Sequence, residues 1–362
     1  MSSNFKLASE KRVVCIFICE IKPKNLLQLK LLKKFGFTTV VFVHSNLNKS
    51  IENAAGFATV ILLKPSFLSR VTQLLQYFKQ TPLISHCEIY GGSRFAFIYL
   101  ILAKLHRIAI LNIERGAIGD YIDKNSQLNK LAKLSMYLLY KFSDFTWFKE
   151  YYMKKYLLQF GAKNLFFIPN TVDQTIMNTP TFKEREIDYL WVNRIITMRR
   201  IYWVIRVAMR EEFKNKKFVI CGFMNDAYSL EVREYINANS CSNIEIINYT
   251  ENVSELYLNS RYFLLPANYV FGNNSLLESM SNGVVPVVSN VEGTSEIVID
   301  GLNGFSFKHE EHDFVSSMMN TLEVVEEKWN IMSNECKNII GSKYNTDAFE
   351  NRLGELYEKI IR

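Results

Sequence analysis

Residues 270–307 read VFGNNSLLESMSNGVVPVVSNVEGTSEIVIDGLNGFSF and place turn formers, hydroxyls and a carboxylate around one short apolar run. Phe271-Gly272-Asn273-Asn274 supplies a turn, and Ser275 stands where a hydroxyl would cap a helix over Leu276 to Ser281. Gly283 would end that helix, and Val284 to Ser289 is short and β-branched enough for a buried parallel strand. Gly293-Thr294-Ser295-Glu296 is then expected to begin a second helix. Two helix N-termini beside one strand would make a site for an anion such as a diphosphate, because unpaired N–H groups and the helix dipole face outward there. Backbone amides of Asn274, Ser275 and Leu276 are the expected donors. Glu278, one turn further in, would accept hydrogen bonds from ribose hydroxyls.

Such a site needs a parallel sheet, and the chain supplies its pattern. Strand-like runs at Arg12 to Cys19, Thr38 to Val43, Ala58 to Leu63, Leu83 to Cys87 and Ile108 to Ile113 alternate with helical spacing at Asn25 to Phe35, Ser66 to Lys79 and Ser93 to Leu105. A polar stretch without periodicity, Gln174 to Lys183, follows and marks a boundary. Alternation resumes at Glu186 to Val192, Phe218 to Cys221, Ile244 to Asn248 and Tyr262 to Leu265, and the chain ends in an amphipathic helix, Thr346 to Ile361. With 362 residues there is material for two α/β cores. The expected domains are 1–174, 184–345 and a terminal helix, 346–362, that packs back on the first.

The 270–307 stretch resembles the donor site of the retaining family 4 glycosyltransferases, the "glycosyl transferases group 1" type with GT-B fold. Glu278-Ser279-Met280-Ser281-Asn282-Gly283 is similar to their E-A-M-A-x-G helix, Pro286-Val287-Val288 to their P-V-V strand, and Gly293 to Glu296 to their G-x-x-E turn. Arg194 and Arg199 resemble the family's Arg and Lys, five residues apart, with Arg in place of Lys. Ile168 to Asp173 (IPNTVD) is similar to P-N-G-V-D. The resemblance implies two Rossmann-like domains facing across a cleft. It implies that Arg194 and Arg199 neutralise a leaving diphosphate, and that Gly222, Tyr249 and Thr250 line the nucleotide. Three elements depart from the family pattern. Val270 stands eight positions before Glu278 where the first Glu belongs, Glu20 to Lys24 lacks the glycine-rich loop, and Glu114-Arg115 replaces a His-Gly. Glu114 and Arg115 are kept as possible sugar, acceptor or phosphate contacts.

Composition narrows the partners. Residues 1–174 carry 24 Lys and Arg against 10 Asp and Glu, whereas the remainder carries 19 against 26. A basic first half suits an anionic membrane surface or a polyanion. Nucleic acid is disfavoured because the charge is dispersed and no binding motif accompanies it. Asn129 to Phe160 mixes Lys with Tyr, Phe and Trp, the composition of a helix pair lying on anionic lipid headgroups. Six scattered Cys form no C-x-x-C pair and are expected as buried free thiols. No signal pattern or spanning run is evident, so a cytoplasmic, peripheral location is expected. No Asp-x-Asp occurs, so no metal and no cofactor beyond the co-substrate are expected. The resulting expectation is a metal-independent, retaining transfer of a hexose from a nucleoside diphosphate sugar to a glycan or lipid-linked acceptor, in polysaccharide or lipopolysaccharide assembly. A non-catalytic partner subunit of the same fold and a sugar-nucleotide epimerase are the rival readings.

Overall fold

Two α/β units account for the chain: residues 1–169 with 350–362, and residues 170–349. The computed structural model describes residues 12–44, 49–81, 83–90, 96–114, 118, 130–172, 179–270 and 272–362, and the side chains of 23, 24 and 49–51 are outside that description. Arg115, and Gln174 to Asn178 of the expected linker, lie outside the described residues.

The first unit runs β1 (Val13–Ile18), α1 (Pro23–Lys34), β2 (Thr38–Val43), α2 (Lys49–Ala54), β3 (Thr59–Leu62), α3 (Phe67–Gln80), β4 (Ile84–Tyr90), α4 (Ala96–Leu105), β5 (Ala109–Glu114), α5 (Lys130–Phe142), β6 (Phe145–Phe148), α6 (Met153–Gln159) and β7 (Leu165–Phe167). Its described strands pair in parallel in the order β3-β2-β1-β4-β5-β6-β7. Phe17 stacks on Phe42 and Tyr99 in a core that also holds Cys15, Cys87 and Ile110. The last twelve residues of α13 (Thr346–Ile361) belong to this unit. Tyr357 donates from its hydroxyl to Glu88 Oε1 at 2.6 Å, and Gln28 Nε2 donates to Glu88 Oε2 at 2.7 Å. A fully buried carboxylate is tolerated there because hydrogen bonds replace its water.

The second unit runs β8 (Ile187–Val192), α7 (Ile201–Ala208), β9 (Phe218–Phe223), α8 (Ala227–Ala238), β10 (Ile244–Asn248), α9 (Ser254–Leu258), β11 (Ser260–Leu265), α10 (Asn274–Ser281), β12 (Val285–Asn290), β13 (Phe305–Lys308), α11 (Glu311–Leu322) and α12 (Glu326–Lys343). Its order is β10-β9-β8-β11-β12-β13, again parallel. Both faces are covered. Tyr189, Trp191, Ile220, Leu264 and Val287 enter one core with α7, α8 and α11, while Leu190, Val192, Val219, Phe263 and Val288 enter the other with α10 and α12. That is why these strands read as near-continuous apolar runs. Sequence reversal between β8 and β11 opens a crevice beyond their C-terminal ends, the usual place for a ligand in an open parallel sheet.

Three expectations are corrected here. Gly293 to Glu296 does not begin a helix. It forms only a three-residue 3₁₀ turn, Thr294–Glu296, because the Thr294 hydroxyl bonds back to Ser289 O at 2.8 Å, and the chain then reaches β13 through a turn bridged between Asp300 and Gly304. Helix α10 is capped not by Ser275 but by Asn273, whose side-chain oxygen accepts from Leu276 N at 2.9 Å. Of the six free thiols, Cys15, Cys87, Cys221 and Cys336 are buried, whereas Cys19 is exposed and Cys241 half-exposed. Each falls just beyond the paired part of the sheet, at the end of β1 and before β10.

Candidate active site at the strand ends of the second unit

Two loops meet at the β8/β11 crevice, and each is positioned by backbone constraints. The first follows β8 through Asn193 and Arg194 to a 3₁₀ turn, Thr197–Arg199. It runs so close to β9 that a Cβ at Gly222 would lie 1.8 Å from Asn193 O, and Gly222 has φ +128°, so only glycine fits. The second loop, after β11, spans Ala267 to Asn273. The two are tied together where Asn273 Nδ2 donates to Asn193 Oδ1 at 2.8 Å. One asparagine thus links the crevice's two walls and caps α10. Asn193 Nδ2 is itself buried with no partner among the described residues.

Asn273 changes the reading of the helix terminus. Its cap consumes the Leu276 N–H, and Leu277 N bonds Asn273 O at 3.3 Å, so neither is available to a ligand. The amides of Asn274 and Ser275 retain no partner among the described residues and sit at the positive end of the helix dipole. Arg199 is half-buried and donates from Nη1 to Tyr269 O at 3.1 Å, which anchors it to the second loop. Burial lowers its pKa from the usual arginine value. Arg194 is exposed at the end of β8.

Glu278 projects from α10 and accepts from the Tyr257 hydroxyl at 3.1 Å. Burial raises its pKa above the ordinary carboxylate value, against the lowering effect of the tyrosine bond. Tyr257 is raised in turn, by burial first and then by the Glu278 charge. Tyr249 follows β10, is 63% exposed, and donates its N–H to Phe223 O at 2.8 Å. The Thr250 hydroxyl accepts from Asn252 N at 3.1 Å. Gly222, Tyr249 and Thr250 therefore line the β9 and β10 ends of the same sheet edge, and Arg194, Arg199, Asn274, Ser275 and Glu278 the β8 and β11 ends. Glu114 ends β5 of the first unit, where it is fully buried and accepts from Tyr140 Oη at 2.6 Å and Ile118 N at 3.2 Å.

Sequence reasoning missed six supporting residues. Asn193 and Asn273 carry the link just described. Asn268 and His309, with Arg200, form a bonded cluster beside Arg199. Arg185, fully buried, donates to Tyr257 O, Ser260 O and Asn282 O at 3.1, 2.6 and 2.8 Å. Burial pushes its pKa down to about 10. It braces the turn at Gly283, where α10 ends. Only Asn273, in a turn-forming run one residue before the helix, had a readable signal.

Residues 172–338 match the family described as "Glycosyl transferases group 1". Over that stretch, slightly less than half of the chain, it is similar to the group 1 glycosyltransferases. That match begins just after the division between the units and covers the crevice residues described above. Over 149 residues the chain is 27% identical to the UDP-Gal:alpha-D-GlcNAc-diphosphoundecaprenol alpha-1,3-galactosyltransferase of Escherichia coli, covering 40% of this chain and 37% of that one. The chain spans 11% and 37% of the length of the first two curated relatives it matches. A glycosyltransferase from Rickettsia africae superposes with a TM-score of 0.77 at 11% identity, covering 97% of this chain and 99% of its own. The Anabaena protein HepE, solved with UDP, gives 0.77 at 13% identity over 96% and 99%. The matched stretch thus lies within a GT-B fold, as the resemblance implied.

Proposed function

We propose that the chain is a glycosyltransferase that moves a hexose from a nucleoside diphosphate sugar to a glycan or lipid-linked saccharide acceptor, with retention of configuration. The observation that carries this reading is the convergence, at the switch point of the second sheet, of two open helix amides, the Arg194–Arg199 pair and Glu278. Negative charge grows on the leaving diphosphate as the glycosidic bond breaks. Donors already aimed at it favour the transition state over the bound substrate. In this reading the amides of Asn274 and Ser275, with Arg199 and Arg194, receive the diphosphate. Glu278 accepts the ribose hydroxyls, and Gly222, Tyr249 and Thr250 bound the base. The arginines supply the charge that a metal ion supplies elsewhere. The diphosphate oxygen takes the acceptor proton, so no separate base is assigned. The solved relative HepE, which holds UDP, and the Escherichia coli galactosyltransferase, with its UDP-Gal donor and diphosphoundecaprenol acceptor, support this choice of substrates.

A peripheral membrane location accompanies a lipid-linked acceptor. Helix α5 of the first unit exposes Leu131 (62%), Leu134 (51%) and Phe142 (50%) between Lys130, Lys133 and Lys141, a face suited to an anionic bilayer. No described helix is long and apolar enough to cross a membrane.

One observation favours a second reading. Val270, standing where the family pattern has its first Glu, is 1% exposed within the apolar core, so that carboxylate is replaced by packing. The chain would then be a binding-competent but non-catalytic partner subunit. Turnover separates the two. Purified chain is incubated with a panel of nucleoside diphosphate hexoses, with and without saccharide and lipid-extract acceptors, and released nucleoside diphosphate is measured. Acceptor-dependent release from one donor, abolished by Glu278→Ala, is expected. Binding without release supports the partner subunit, and conversion of donor alone to an isomer supports an epimerase.

A further inference from the structure

Arg200 follows Arg199 in left-handed backbone, φ +45° and ψ +39°, a conformation unusual for a residue with a side chain. Such a conformation is strained for a residue with a side chain, and persists where its surroundings fix it. Its side chain shows what does so. Arg200 Nε donates to Asn268 Oδ1 at 2.9 Å, and the guanidinium lies 5.6 Å from the Trp203 ring. Asn268 also donates its backbone N–H to Met198 O at 2.9 Å, and its neighbour Tyr269 accepts from Arg199 Nη1. The loop is therefore held on both sides of Arg199, and through Arg199 itself, by two consecutive residues.

His309, just after β13, completes the cluster. Its Nε2 lies 3.0 Å from Asn268 Oδ1, its Nδ1 2.9 Å from Ser289 Oγ, and its ring 5.1 Å from Trp203. The protons can be assigned. Arg200 Nε only donates, so the Asn268 atom facing it is the oxygen, and His309 must then carry its proton on Nε2. Nδ1 accepts from the Ser289 hydroxyl, whose oxygen accepts from Ala267 N at 3.0 Å. The bonds run without conflict from Ala267 through Ser289, His309 and Asn268 to Arg200. They start on the ends of β11, β12 and β13, whose backbones are paired in the sheet, and finish on the loop that carries Arg194 and Arg199.

We propose that Arg200, Asn268 and His309 form a relay that fixes the 193–200 loop in its anion-binding geometry, with His309 as a positioning residue for the donor site. This rests on the reading of Arg199 as a diphosphate partner. The side chains act before any ligand arrives, by removing alternative loop geometries, so their loss weakens diphosphate binding without removing a ligand contact.

The test measures dissociation constants for UDP, GDP, CMP and dTDP, with melting temperatures, in wild type, His309→Phe, His309→Gln and Arg200→Gly. Gln can still donate to Asn268 and accept from Ser289, whereas Phe fills the space with neither bond. For the nucleotide that wild type binds, His309→Phe is expected to weaken binding roughly tenfold, within the range for one lost buried hydrogen bond, and His309→Gln to restore most of it. Arg200→Gly relieves the backbone and is expected to fold at least as stably while binding more weakly, so the relay stays testable if His309→Phe fails to fold. Wild-type binding matched by His309→Phe overturns the relay alone. If His309→Phe does not fold, wild-type binding matched by Arg200→Gly does the same. Wild-type failure to bind any of the four overturns the donor-site reading and the relay with it.

Discussion

Gly222→Ala should damage the crevice more than its single added methyl suggests. At φ +128° any side chain is strained, costing about 1 to 2 kcal/mol on the scale of left-handed backbone. The added Cβ would also lie 1.8 Å from Asn193 O and 2.9 Å from Asn193 C, both backbone atoms that no rotamer change can move. Forcing extra volume into packed structure adds about 1 to 3 kcal/mol, for a total of about 2 to 5 kcal/mol. Gly301→Ala is the matched control, since φ is +74° but nothing lies within 4 Å of its Cβ, leaving only the backbone cost. For domains of this size each kcal/mol lowers Tm by about 2 to 4 °C. Calorimetric melting should therefore show about 4 to 20 °C lost in Gly222→Ala, and markedly less in Gly301→Ala. Asn193 must shift to relieve the clash, and Asn193 holds Asn273. Gly222→Ala should accordingly lose nucleotide binding, while Gly301→Ala keeps it. Equal destabilisation of the two variants, or full binding by Gly222→Ala, would refute the argument that β9 backbone sets the loop.

Asn273→Ala removes the α10 cap and the bond to Asn193, and should cost about 1 to 2 kcal/mol by chemical denaturation, with weakened nucleotide binding at temperatures where it remains folded. Glu278→Gln tests the raised carboxylate pKa. Because the folded chain holds that proton more tightly than the unfolded chain, wild-type stability falls as pH rises through the raised value. The glutamine variant should thus melt higher at neutral pH, with the advantage shrinking as pH is lowered to about 4; a constant offset across that range would argue against it. Leu131→Glu with Leu134→Glu should abolish sedimentation with vesicles containing phosphatidylglycerol, and wild type should not sediment with purely zwitterionic vesicles.

Most strands, though not β6, β7 or β13, were legible because parallel strands buried on both faces leave short β-branched runs, such as Phe218 to Cys221, that turn residues delimit. Their ends shifted by one to three residues, as at β1 and β4. The amphipathic Thr346–Ile361 was readable to its last turn. At the crevice, the helix bearing Glu278 was visible but its cap was not, since Asn273 and Ser275 are both competent caps and their choice depends on Asn193, 80 residues away. The Gly293 turn carried a helix signal that Thr294 diverts through a bond to Ser289. Arg185, Asn268 and His309 act through contacts with residues distant in sequence, which no local pattern encodes. Arg200 concealed its backbone conformation because left-handed geometry is signalled by glycine, and here a bonded arginine adopts it.

Melting of the purified chain with UDP, GDP, CMP and dTDP, alongside Arg199→Ala, tests the donor site most directly. Ligand at a hundred times its dissociation constant adds about 2.7 kcal/mol, which a melting shift detects. Stabilisation by one nucleoside diphosphate, lost in Arg199→Ala, is expected. Stabilisation by none of the four, or equal stabilisation of the variant, would contradict it.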